Sequence, residues 1–348
     1  MGYFTNFAFE KNRNSVNSIR FWFINARPTA LPQSLLPSLT AVTLAASSGS
    51  FSWCLSVLAV LGVIAAHLAL NLFDDYFDYI KKKSDYREEL VHEGFRARIG
   101  KCPYLTSGRA TLKQLLAACL VFSIIAFFFG SIVLYYRGNF ILYVVLITVI
   151  LGFFYSAPPL RLSYHGLGEL LIGIIFGPLN MIGTYYAACG EMNMSVLLIS
   201  VPVGLLVMNV VYIHSIMDCI PDKKIGKRTL AVLLNNTTAM LVVLFFILFV
   251  PFALIAYGII AGYLPVLYFL VFLTFPVAIS LFYLMIEFVR HPDRQFSPKF
   301  WMGPLNNWKA IKAAGLDWFM IRWLSARNLM SFFCLIIIII SIVVKFKI

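Results

Sequence analysis

About nine stretches of this chain run close to the ~20 residues that cross a bilayer while carrying almost no charge. They lie near 30–48, 53–79, 112–135, 139–157, 167–189, 195–218, 238–260, 264–288 and 330–346. In hydrocarbon an unpaired backbone N–H or C=O costs several kcal/mol, so each stretch closes its hydrogen bonds within itself as a helix. Of the 348 residues 61% are hydrophobic and 12% charged, against about 25% charged in a soluble domain. The expectation is an all-α, polytopic membrane protein: one bundle of about nine transmembrane helices with cytoplasmic cap helices. Residues 1–348 make one integral-membrane domain, with no room for a separate soluble module.

The first 25 residues mix Asn, Arg, Lys and aromatics and lack a cleavable-signal pattern. The six cysteines show no paired spacing, so neither a disulfide framework nor a metal knuckle is expected. The net charge of +13 is concentrated between spans, which argues against nucleic acid as a partner. The 80–111 connection holds Lys81, Lys82, Lys83, Arg87, Arg96, Arg98, Lys101 and Arg109; the 219–237 connection holds Lys223, Lys224, Lys227 and Arg228. The loops between them hold almost no charge. The positive-inside rule then places the N-terminus and the connections 80–111, 158–166, 219–237 and 289–329 in the cytoplasm, in a multi-pass protein of the cytoplasmic (inner) membrane.

The second span ends in a concentration of acid. After an uncharged run from Trp53 come Asn71, Asp74, Asp75 and Asp78, at offsets that put them on one side of a helix. A carboxylate deep in a bilayer costs roughly 2.5–3.5 kcal/mol and usually faces a cavity. A shared divalent cation offsets the repulsion among three such groups, and oxygen-only sites suit Mg²⁺ held jointly with a substrate phosphate. The sixth span ends alike: His214, Asp218 and Asp222 form an i, i+4, i+8 stripe, followed by Lys223, Lys227 and Arg228. An even number of spans separates the two acidic ends, so both emerge on one membrane face. Two carboxylate groups there can hold Mg²⁺ while Lys and Arg neutralise a diphosphate.

Other features have plainer readings beside functional ones. Arg27, in the proline-rich lead-in Ala26–Pro37, suits a positive-inside anchor. The glycines of the fifth span (Gly168, Gly173, Gly177, Gly183) suit close helix packing. A histidine one turn before an acid or amide, as at His67 and His214, is more often a hydrogen-bonded helix residue than a base. Segment 289–329 holds four of the six tryptophans among Lys309, Lys312, Arg322 and Arg327, and reads as an interfacial aromatic/basic segment.

Several pieces, in order over roughly residues 20–290, resemble the UbiA-type intramembrane prenyltransferases. They are Ala26-Arg-Pro-Thr-Ala-Leu-Pro, Asn71-Leu-Phe-Asp-Asp-Tyr-Phe-Asp-Tyr79, Tyr155-Ser-Ala-Pro-Pro-Leu-Arg161, Gly166-Leu-Gly-Glu169, Phe176-Gly-Pro178, Gly183-Thr-Tyr-Tyr186 and Gly226-Lys-Arg-Thr-Leu-Ala231. Within that superfamily the chain looks most like the 1,4-dihydroxy-2-naphthoate polyprenyltransferases of menaquinone synthesis. It departs from their pattern at Asp74, where Asn is usual, and at Met217, where Arg is usual. The resemblance implies an enzyme that transfers a polyprenyl group from polyprenyl diphosphate to a small aromatic acceptor. It implies Mg²⁺ or Mn²⁺ on Asp74, Asp75, Asp78, Asp218 and Asp222. Asn71 belongs to the same motif. Arg27, Lys82, Arg161, Lys223, Lys227 and Arg228 would hold the diphosphate, and Tyr155 would face the allylic cation. Paired intramembrane carboxylates also mark secondary transporters built as inverted repeats, and that reading stays open at this stage.

Overall fold

The computed structural model describes residues 18–80 and 102–346. Among the described residues nine main helices build one bundle: α1 (Pro32–Ala45), α2 (Trp53–Ile80), α3 (Leu112–Arg137), α4 (Asn139–Ser156), α5 (Gly168–Cys189), α6 (Met194–Met217), α7 (Thr237–Ile260), α8 (Val266–Arg290) and α9 (Asp317–Phe346). No strand occurs among the described residues. Eight of these helices are long and apolar enough to cross a membrane. The exception is α1, whose 14 residues reach about 21 Å. It is flanked by Arg27 and Pro28–Ala30 on one side and an Ala-Ala-Ser-Ser-Gly turn on the other, and it buries Ser34, Ser38 and Thr40 inside the bundle rather than facing lipid.

Local sequence sets the helix ends. Thr111 and Gln114 form a capping box that starts α3, while Asn193 and Asn236 cap α6 and α7 with their side-chain oxygens. The Pro158–Pro159 pair follows Ser156, where α4 stops. The two ends of the bundle are unlike. One end gathers residues 102–111 and the connections 157–167, 218–236 and 291–316. At the other, Arg137 donates to the carbonyls of Ala187 and Ala188 (both 2.9 Å), and Lys345 Nζ lies 5.3 Å over the Phe51 ring. Helix α9 therefore ends opposite the acidic motifs.

The central helix is α6, with 72% of its spanning window buried. It meets α5 at a crossing made of glycine. A Cβ on Gly177 would stand 2.3 Å from Gly204 Cα, and one on Gly204 would stand 2.6 Å from the Gly173 carbonyl. Only small residues permit that approach. A π turn over Ile175–Leu179, around Pro178, accompanies it. At the periphery, α4 has 11% of its window buried, the least of the eight spans.

Segment 289–329 is not one interfacial element. Its last third belongs to α9, and Arg322 is fully buried there. Arg322 Nε donates to the Leu284 carbonyl at 3.0 Å, another guanidinium N–H goes to the Trp318 carbonyl, and the Phe288 ring lies 4.9 Å away. Backbone oxygens and a ring face thus replace water around the charge.

Candidate active site

A cavity of about 280 Å³ opens between α2, α4, α5 and α6 at the end of the bundle that holds both acidic motifs. Arg27, Asn71, Asp74, Asp222 and Lys227 form its polar wall. Phe73, Phe77, Phe153 and Phe176 contribute aromatic wall.

Arg27 is placed by its backbone. It has φ 58°, the left-handed region that ordinary residues avoid, at the junction between the short helix Ile19–Asn25 and the turn Pro28–Ala30. Asn71 holds that junction, donating to the Ala26 carbonyl at 2.9 Å, and Arg27 Nη2 returns a bond to the Asn71 carbonyl at 2.7 Å. The same Nη2 lies 3.3 Å from Asp74 and 3.2 Å from Asp75. Burial works against the guanidinium charge, but Asp75 and Asp74 outweigh it, and the Arg27 pKa is raised. Arg27 Nε has no hydrogen-bond partner among the described residues.

The three acids of α2 meet different hydroxyl donors. Asp74 faces the cavity and accepts from Ser156 Oγ at 2.6 Å. Asp75, one residue on and about 100° around the helix, is buried on the far side of Arg27, where Tyr104 Oη donates to it at 2.9 Å. Burial first, and the Asp75 charge next, push the Tyr104 phenol up, so it stays protonated and donates. Asp78 accepts from Tyr164 Oη at 2.5 Å. On α6 and beyond, Asp218 is fully buried against His214 Nε2 at 2.9 Å, and Asp222 is in the cavity wall. Among the described residues no three His, Cys, Asp or Glu converge as a metal-holding group. Of the five carboxylates expected to hold metal, Asp74 and Asp222 line the cavity, while Asp75, Asp78 and Asp218 meet Tyr104, Tyr164 and His214.

The cations sort likewise. Lys227 lines the cavity, 6.0 Å over the Tyr164 ring, and Tyr155 lines it too. Arg161, Lys223 and Arg228 do not. Arg161 sits at a left-handed turn with φ 42°, Lys223 donates to Asn235 at 2.9 Å on the exposed surface, and Arg228 pairs its backbone with His165. Lys82 lies outside the described residues, as do Lys81, Lys83, Arg96 and Arg98.

Sequence reasoning gave no site role to three wall residues, Gln33, Ser156 and Glu169, while Trp323 of the aromatic/basic segment also joins the wall. It also missed Tyr104 and Tyr164. The tyrosines left a faint signal, since each sits in a mouth-end connection where phenols can reach helix-end acids. His67 keeps the plain reading, its Nδ1 2.6 Å from Ser34 Oγ.

Both acidic helix ends open into one cavity at one end of the bundle, an arrangement unlike a pair of inverted repeats. Fold and site together define a multi-pass membrane protein whose cavity carries acidic, basic and aromatic residues at one end of the bundle. The chain belongs to the UbiA prenyltransferase family, which it matches over residues 34–308. It is 28% identical over 214 residues to a 1,4-dihydroxy-2-naphthoate octaprenyltransferase of Bacillus subtilis, a match spanning 62% of this chain and 66% of that relative, just under two thirds of its length. It is 29% identical over 286 residues to UbiA prenyltransferase domain-containing protein 1 of Xenopus tropicalis, covering 80% of this chain and 77% of the relative. A UbiA homologue of Archaeoglobus fulgidus, solved with GPP and Mg²⁺, shares the fold with a TM-score of 0.54 at 17% identity, covering 89% of this chain and 99% of its own.

Proposed function

We propose that this prenyltransferase moves a polyprenyl group from polyprenyl diphosphate to 1,4-dihydroxy-2-naphthoate, with loss of the acceptor's carboxyl group. The observation that carries the reading is the cavity wall, which brings Arg27 and Lys227 together with Asp74 and Asp222 and also carries Phe73, Phe77, Phe153 and Phe176. The name of the Bacillus relative supports the acceptor, and the ligands of the Archaeoglobus structure support an allylic diphosphate with a divalent cation.

The donor chemistry of the wall fits Mg²⁺ or Mn²⁺. Asp74, Asp222 and Asn71 offer only oxygen, leaving diphosphate oxygens to complete the shell. When bound, the cation neutralises charge on the leaving diphosphate. Arg27, its Nε unfilled, and Lys227 orient that diphosphate. Tyr155 presents a ring to positive charge developing on the allylic carbon. The phenylalanines keep water from that carbon. By the positive-inside rule, the mouth faces the cytoplasm of the inner membrane.

Membranes containing the protein, given Mg²⁺, a polyprenyl diphosphate and a panel of aromatic acceptors, should yield the prenylated, decarboxylated naphthalene product, identified by mass. Product from a different acceptor alone would remove the naphthoate assignment. Product from none would remove the transfer reading.

A further inference from the structure

Glu169 stands in the cavity wall at the first turn of α5 and plays no part in holding diphosphate. It is 2% exposed, so it is withdrawn from bulk solvent. Oε1 accepts from the Leu230 N–H at 3.1 Å. Oε2 is buried, and Ser215, one turn before the buried Asp218 on α6, lies beside the carboxylate as its side-chain hydrogen-bond partner. Neither Oε2 nor the Ser215 hydroxyl makes a well-formed hydrogen bond among the described residues. This carboxylate and hydroxyl, side by side in the wall of one chamber, keep bonding capacity that a ligand can fill.

The position suits the reaction centre. An added Cβ on Gly168, the neighbouring residue, would lie 3.4 Å from the Tyr155 ring, and Ser156 next to that tyrosine is bonded to Asp74. On its other side Glu169 is tied to Leu230, three residues beyond Lys227. Glu169 therefore sits between the two halves of the diphosphate site. A tether to Leu230 needs one oxygen and no charge, and glutamine would serve it equally.

We propose that Glu169 is a catalytic residue that takes the hydroxyl proton of the aromatic acceptor, with Ser215 hydrogen-bonding the same oxygen. This rests on the prenyl-transfer reading above. As the bond forms between the allylic carbon and the ring carbon, the allylic C–O bond breaks and its electron pair leaves on diphosphate. The acceptor O–H proton passes to Glu169 Oε2, and the freed pair makes a ring carbonyl. The attacked carbon then sheds CO₂, that electron pair returns to the oxygen, and Glu169 gives the proton back.

The test compares wild type, Glu169→Gln, Glu169→Asp and Ser215→Ala, using one polyprenyl diphosphate and 1,4-dihydroxynaphthoates of graded hydroxyl acidity. General-base assistance is worth about 100-fold or more, so Glu169→Gln should lower kcat by at least about 100-fold. KM for the prenyl diphosphate should stay within about twofold, because the mouth residues are intact. The loss should shrink as the acceptor hydroxyl becomes more acidic, and Glu169→Asp should recover part of it. Ser215→Ala should raise the acceptor KM by about five- to tenfold, the scale of one hydrogen bond. A kcat for Glu169→Gln within about threefold of wild type would overturn the assignment. So would a loss independent of acceptor acidity, or a parallel rise in prenyl diphosphate KM, since either is what a structural tether gives. Wild type that prenylates no member of the series would instead take down the transfer reading, and this assignment with it.

Discussion

Tyr164 donates its hydroxyl to Asp78 at 2.5 Å, joining residues 86 apart in sequence. The bond pins the turn after α4 to the end of α2. A hydrogen bond to a charged group contributes about 1.5–3 kcal/mol. Tyr164→Phe should therefore lower the unfolding free energy by about that amount. The ring beneath Lys227 is kept, so KM for prenyl diphosphate should stay within about twofold. Unchanged denaturation would show that the hydrogen bond is dispensable.

Arg27 bridges Asp74 and Asp75, so its removal does two kinds of harm. Arg27→Ala leaves two neighbouring acids without their common cation and takes a donor from the diphosphate. Loss of one charge-assisted contact of about 1.5–3 kcal/mol corresponds to about 10- to 150-fold weaker prenyl diphosphate binding. Arg27→Lys should restore less than half of that free energy, since a point charge cannot bridge both acids and Asn71 at once. Titration calorimetry in detergent measures both. Equal affinity for wild type and Arg27→Ala would place the diphosphate elsewhere.

The acids that face the cavity should be the sensitive ones to metal. Chelation by EDTA should stop transfer, and added Mg²⁺ or Mn²⁺ should restore it. Asp74→Asn and Asp222→Asn should each raise the Mg²⁺ concentration needed for half-maximal rate by about tenfold or more, the loss of one charged ligand contact. Full activity in excess chelator would end the metal assignment.

Glycine at the α5–α6 crossing is testable with an internal control. Gly177→Ala puts a methyl 2.3 Å from Gly204 Cα, where backbone must move, and overpacking of this kind costs about 1–3 kcal/mol. Gly130→Ala adds the same methyl to α3 with nothing within 4 Å. The first should lower the thermal midpoint and the second should not. Equal midpoints would mean that the crossing tolerates separation.

Sidedness follows from the ends of the bundle. Ser107 and Lys224 are exposed at the mouth end, and Asn139 is exposed at the other. With native cysteines removed, Ser107→Cys and Lys224→Cys should react with an impermeant thiol reagent only in inverted vesicles. Asn139→Cys should react only in intact cells. Opposite labelling of Ser107→Cys and Lys224→Cys would separate the two acidic motifs and break the single site.

The spans were legible because a bilayer imposes one length and one polarity on every helix. α1 was legible as a crossing but not in its shortness, since its buried serines and threonine read no differently from a lipid-facing run. Arg27, Asn71, Asp74, Tyr155, Asp222 and Lys227 were legible as polar residues at helix ends, where charge must have a reason. The partners of Asp75, Asp78 and Asp218 were not legible, because helical offsets do not say which neighbour a side chain meets. Those partners are Tyr104, Tyr164 and His214, and two of the three come from other segments. Glu169 was hidden for a different reason: in a helix apolar nearly all round, hydrophobic pattern does not mark the cavity-facing side. Arg322 looked interfacial because tryptophan beside arginine suits a membrane surface as well as it suits the interior carbonyls that it found.

The weak burial of α4 has a consequence for traffic. Its residues Gly152, Phe153 and Ser156 face the cavity, yet the helix is the least enclosed of the spans. A single helix therefore partitions two solvents, ionic at the mouth and oily at the flank. Moving a hydrocarbon tail through water would cost about 0.8 kcal/mol for every methylene, prohibitive for a polyprenyl chain. On the prenyl-transfer reading, a route beside α4 would remove that toll: the charged head of a donor would enter from water while its tail, and later the whole product, stays in oil.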